Sequence, residues 1–98
     1  MKPWPAKDPE EVLDYGFDWS KRQIGEDVIV QSTAQVIEGD VVVNEHGPGP
    51  VLDCPHGQGT VTWLSGGTAG TTCLIRLHMI TTSARQLEET LKIKIKER

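Results

Sequence analysis

The sequence predicts an all-β protein, and three observations carry that prediction. Apolar and polar residues alternate with period two in the long segments, and helical spacing is hard to find anywhere. Those segments are rich in β-branched residues and threonine. Turn signals containing Gly or Pro separate them. About six or seven short strands spread over 98 residues is the pattern of an immunoglobulin-like antiparallel β-sandwich. The length suits one such domain and leaves no room for a second.

The first eleven residues hold three prolines and charges of both signs, and read as an extended N-terminal arm (residues 1–11) ahead of a single domain (residues 12–98). From Leu13 the chain alternates, with Leu13, Tyr15, Phe17 and Trp19 on one side and Asp14, Gly16 and Asp18 on the other, as in a strand with one wet face. "KRQIGED" turns, and "DVIVQSTAQVI" forms a second strand in which Val28, Val30 and Ser32 oppose Ile29, Gln31 and Thr33. After the turn "EGD", the β-branched run "VVVN" is a short strand. Residues 44–59, "NEHGPGPVLDCPHGQG", carry four glycines and three prolines and form the longest loop. "TVTWLSG" is the next strand. "TTCLIRLHMITTS" is the longest, with Cys73, Ile75, Leu77 and Met79 set against Leu74, Arg76, His78 and Ile80. In the final strand Leu87, Leu91, Ile93 and Ile95 point inward, and Glu88, Thr90, Lys92, Lys94 and Lys96 point outward. There the lysine row faces solvent and guards an edge against unwanted pairing.

Charge excludes some functions. The net charge is -4, with residues 1–59 near -7 and residues 60–98 near +3. An acidic total disfavours nucleic-acid binding, which needs a dense basic face, and the only basic run is Lys92, Lys94, Lys96 and Arg98. No apolar stretch approaches the roughly 18 to 20 residues that span a bilayer, and "MKPWPAKDPEE" lacks the apolar segment of a signal peptide. A soluble, non-exported chain with no membrane partner is expected. Cys54 and Cys73 are too few for a disulfide scaffold and are expected to remain thiols in a reducing cytosol.

The stretch "WLSGGTAGTTC" raises the question of phosphate binding. A phosphate-cradling loop needs a lysine after its glycines and a helix beyond them, yet no lysine occurs between Arg22 and Arg76 and a strand follows Gly70. The glycines are expected to supply positive φ in a strand-to-strand connection, with the hydroxyls satisfying nearby amides. His46, Cys54, His56, Cys73 and His78 are zinc-ligand types at poor spacing, so Cys73 reads as a small core residue and the histidines as solvated. No serine lies in an activating frame such as G-x-S-x-G. The expectation is a non-enzymatic protein with no cofactor, no metal and no small-molecule substrate. Trp19 and Trp63 lie in alternating strands and read as core. Trp4, between two prolines and outside the alternation, either docks back as a lid or inserts into a partner.

Three segments, "KDPEEVLDYGFDWS" at 7–20, "VTWLSGGTAGTT" at 61–72 and "ITTSARQLEETLKIKI" at 80–95, together resemble a family of small tailed-bacteriophage virion proteins, the phage fiber-tail adaptor proteins. The resemblance implies a β-rich structural part that joins tail components and has no enzymatic activity. A virion protein at the tail fibre, its adaptor or the head–tail junction is therefore expected, synthesised in the bacterial host cytoplasm. Its partners would be other phage structural proteins, further copies of itself among them, met through edge strands and arm. Trp4, Lys92, Lys94 and Lys96 are the candidate partner-binding residues. The alternative is a surface adhesion or glycan-binding immunoglobulin-like module, since an exposed tryptophan stacks on sugar.

Overall fold

The computed structural model describes Met1–Arg98 and consists of strands and connections, with no helix. The strands are β1 (Lys2–Pro3), β2 (Leu13–Asp18), β3 (Ile29–Glu38), β4 (Val41–Pro48), β5 (Gly59–Gly66), β6 (Thr72–Thr81) and β7 (Gln86–Lys94). They form a four-stranded sheet in the order β1-β7-β6-β3 and a three-stranded sheet in the order β2-β5-β4. Neighbours are antiparallel except β1, which lies parallel to β7. The predicted all-β sandwich is thus the observed architecture. Its core holds the inward rows that the alternation assigns: Tyr15, Phe17 and Trp19 from one sheet, and Cys73, Ile75, Leu77, Met79, Leu91, Ile93 and Ile95 from the other. Burial of these rows, at roughly 25 cal/mol per Å² of apolar surface, is the main force holding the sheets together.

The connections are pinned by side chains. Ile24, in the turn after β2, is fully buried. The Gln58 amide donates to Gly25 O (2.7 Å) and Asp27 O (2.9 Å), which fixes that turn against the start of β5. Asp27 accepts from the hydroxyls of Thr81 (2.8 Å) and Ser83 (2.9 Å) and pairs with Arg85 (2.8 Å), tying the β6–β7 turn to the same corner. The stretch "SGGTAGTT" connects β5 to β6 as expected, with φ of 73°, 99° and 86° at Gly66, Gly67 and Gly70. At Gly67 a Cβ would lie 2.9 Å from Ile95, so both backbone conformation and space require glycine there.

Several expectations need correction. β4 runs on through His46 and Gly47 to Pro48, where the sequence ends the strand at Asn44. β4 is an edge strand, and a proline at its end costs no ladder hydrogen bond. Ile29 and Ser32 do not oppose one another: a bulge between Ile29 and Gln31 restores the face, so Ile29, Ser32, Ala34 and Val36 all turn inward. Trp63 is 39% exposed and not in the core. Thr60, Thr62 and Leu64 fill the inner positions of β5, because Thr60 accepts the Trp19 indole N–H (3.1 Å), and Trp63 is left on the outer face. Finally, β7 is not an edge. Its lysines do face outward, but β1 and the residues after it cover the strand's free side.

Candidate partner-binding surface

The arm lies along β7 as a strap. Trp4 N donates to Lys92 O (2.9 Å), Lys7 N to Lys94 O (3.0 Å) and Lys96 N to Lys7 O (2.9 Å). Of the two placements the sequence allows for Trp4, the structure shows the docked one. The indole is 9% exposed, stacks on Tyr15 at a centroid distance of 5.1 Å, and donates from Nε1 to Gly16 O (3.1 Å). One residue therefore touches β7 of one sheet and β2 of the other.

Lys7 makes the second link between sheets, and nothing in the sequence pattern marks it. It is fully buried, with its ammonium donating to Gly66 O at the end of β5 (2.7 Å) and to Asp8 O (2.8 Å). Burial pushes its pKa below the ordinary lysine range, while Glu11 and Asp8 hold it up. Asp8 and Glu11 in turn bind the C-terminal end: Asp8 accepts from Arg98 N (2.8 Å) and Glu11 pairs with the Arg98 guanidinium (3.3 Å). The three segments that carry the family resemblance meet at this end of the sandwich, through Lys7, Gly66 and the Ile95–Gly70 hydrogen bond (2.8 Å).

The structure brings Trp4, Lys92 and Lys94 together. With Pro3 and Ala6 they line a cleft of about 340 Å³ between strap and sheet face. Lys96 lies beyond the end of β7, exposed and outside that cleft. On β6, register sets Leu74 beside Lys92 and Arg76 beside Thr90, so Arg76 extends the basic patch. The opposite sheet presents a different outer face. Asp14, Trp63 and Glu45 are register partners across β2, β5 and β4, all three exposed. Beside them Leu13, Gly16, Val51 and Val61 help form a cleft of about 520 Å³ rimmed by Leu52.

His46 is not solvated as expected. A bulge between Val43 and Glu45 turns it inward, where Nε2 meets Ser32 Oγ (2.6 Å) and Nδ1 meets Thr62 Oγ1 (2.7 Å). The Ser32 hydroxyl also lies within hydrogen-bond reach of His78 O (2.9 Å), so Thr62, His46 and Ser32 form one chain of polar contacts. Ser32 is on β3 and His46 and Thr62 are on β4 and β5, so the chain clasps the two sheets together. Burial lowers the His46 pKa. Cys73 is a buried core thiol, and Cys54 donates to Asp18 Oδ1 (3.1 Å); both are free. Burial, with Asp18 alongside, pushes the Cys54 thiol up to about 11, which favours the thiol over the thiolate at neutral pH.

The molecule thus presents an outer sheet face with Lys92 and Lys94 beside the strap, and on the other sheet an exposed Trp63 flanked by carboxylates. No curated protein matches the chain. The sequence model of the Podophage GP4 fiber-tail adaptor protein gp77 family matches residues 7–94, from the buried Lys7 to the end of β7, and the chain belongs to that family.

Proposed function

We propose that the chain is a non-enzymatic structural protein of the virion that joins tail components, at the fibre adaptor or at the head–tail junction. Family membership supports a tail-joining role, a place in the virion and binding to other phage structural proteins. The observation that carries the finer reading is the convergence of Trp4, Lys92 and Lys94 on one cleft of the basic face. Lys92 and Lys94 beside Pro3 and Ala6 make a cationic rim over an apolar floor, suited to an acidic protein partner, with the docked Trp4 holding the strap in place beside them. Lys96, farther along the same face, widens its positive field. The immunoglobulin-like reading is supported by the strand partition: β2-β5-β4 against β7-β6-β3 divides the chain as constant-type domains do, with the first strand moved to the β7 side.

Comparison of virions made with and without the gene tests this proposal. The expected result is that the chain is found in purified wild-type particles, and that particles lacking it show an incomplete tail by negative stain. Intact tails in its absence, or a chain missing from purified virions, would overturn it.

A further inference from the structure

The edge strands of the sandwich are β1 and β3 in one sheet and β2 and β4 in the other, and all but β3 are guarded. β1 is only Lys2–Pro3 and ends in proline. On β2 the Trp4 indole takes Gly16 O (3.1 Å). β4 carries Glu45, Pro48 and a bulge between Val43 and Glu45. β3 keeps its irregularities to its ends, at Ile29/Gln31 and Val36/Glu38, and Gln31–Val36 between them is regular. The run from Val28 to Ile37 holds no charge, no proline and no glycine, and is rich in β-branched residues. Val30 is 59% exposed. A long uncharged edge of this kind pairs readily with another chain, which is why proteins that stay alone guard against it.

The ladder fixes which backbone groups of β3 are free. Thr81 N donates to Arg85 O (2.9 Å) where β6 turns into β7, and Trp4 N takes Lys92 O on the far side of β7. By alternation Ile75, Leu77 and Met79 bond to β7, and Arg76, His78 and Ile80 bond to β3. Their partners there are Gln35, Thr33 and Gln31, so the amides and carbonyls of Ser32, Ala34 and Val36 point to the open side. Ala34 and Val36 pack on the core yet stay half-buried, while Gln31, Thr33 and Gln35 are exposed on the outer face. We infer that the β3 edge receives an extended, uncharged segment of another virion protein, which joins the sheet as its next strand through Ser32, Ala34 and Val36. The inference rests on the tail-joining reading and adds how one partner is held. Main-chain hydrogen bonds supply the affinity and alternation the specificity, with apolar side chains beside Ala34 and Val36 and Thr or Gln beside Thr33 and Gln35. A second copy is a poorer occupant. Ser32 Oγ and His46 Nε2 lie 2.6 Å apart, so β4 runs beside β3, and a whole sandwich arriving at β3 also meets Glu45 and Pro48. A single extended segment needs β3 alone.

Amide-resolved hydrogen exchange of the full-length chain, alone and in purified virions, provides the test. In the free chain the amides of Ser32, Ala34 and Val36 should exchange fast, while those of Gln31, Thr33 and Gln35 are protected by β6. In virions both sets should be protected. A photo-crosslinking residue at Thr33 should then join the chain to an extended segment of a different virion protein. Ala34→Pro deletes a free amide that the β6 ladder does not use, and should lower incorporation into virions at least about tenfold. Thr33→Lys with Gln35→Lys leaves the backbone intact and puts charge on the edge; it should do the same with a melting temperature near wild type, and it decides the matter if the proline variant does not fold. Normal incorporation of the folded lysine variant would overturn the inference, as would a Thr33 crosslink that is absent or reaches only a second copy. A chain present in virions with Ser32, Ala34 and Val36 still exchanging fast removes the β3 contact alone; absence from virions removes the tail-joining reading beneath it.

Discussion

Two buried polar groups behave oppositely at the level of single residues. The Lys7 ammonium holds two backbone carbonyls, whereas the buried Tyr15 hydroxyl has no hydrogen-bond partner in the chain. Lys7→Met keeps the apolar stem and strands the carbonyls, so it should cost about 1 to 3 kcal/mol. Tyr15→Phe removes a group that makes no bond and should change stability by no more than about 0.5 kcal/mol in the same denaturant melts. His46 adds a pH dependence. Its folded pKa lies below the ordinary 6.5, so under that pH the unfolded chain takes up a proton that the folded chain resists. Stability from this group is full above about pH 6.5 and is lost as pH falls through the window down to the folded pKa. His46→Gln should flatten that slope in melts run at successive pH values. A separate acid loss below pH 3.8 should survive, because the Thr81 hydroxyl holds the Asp27 carboxyl low and the Glu10 N–H does the same for Asp8.

At the level of elements, β7 separates packing from surface chemistry. Ile93 is fully buried and Lys94 is exposed. Ile93→Ala should cost about 2 to 5 kcal/mol, and Lys94→Ala no more than about 0.5 kcal/mol, by equilibrium denaturation. Such rows were legible because a regular strand repeats every two residues, as in Cys73, Ile75, Leu77 and Met79. The bulges at Ile29/Gln31 and Val43/Glu45 were not legible: one extra residue exchanges the faces, and no local composition announces it. His46 owes its inward position to the second of these. Trp63 misled through its size, since the alternation that puts Thr60 and Thr62 inside also puts Trp63 outside. The outward lysines of the candidate site were readable from β7 alone. That Trp4 sits beside them depends on pairing between residues 2–3 and 91–92, which lies beyond any short window of sequence.

Across the whole molecule, the strap makes two sheets into one unit. Trp4 reaches β7 through its backbone and β2 through its ring. Trp4→Ala should therefore cost about 3 to 5 kcal/mol, the range for deleting a large buried aromatic, and weaken hydrogen-exchange protection in both sheets. Loss confined to the β7 side would show that the ring does not couple them.

The parallel pairing of β1 with β7 also bears on how the chain is made. Trp4 leaves the ribosome long before Lys92, so its seat does not exist while most of the chain is being synthesised. Contacts this distant in sequence form late, after the nearer strand pairs have closed. Until then the indole and an unpaired, proline-flanked strand stand in solvent, where folding helpers and proteases recognise unfinished chains. Only a completed β7 conceals them, and the strap thereby reports on whether β7 has arrived.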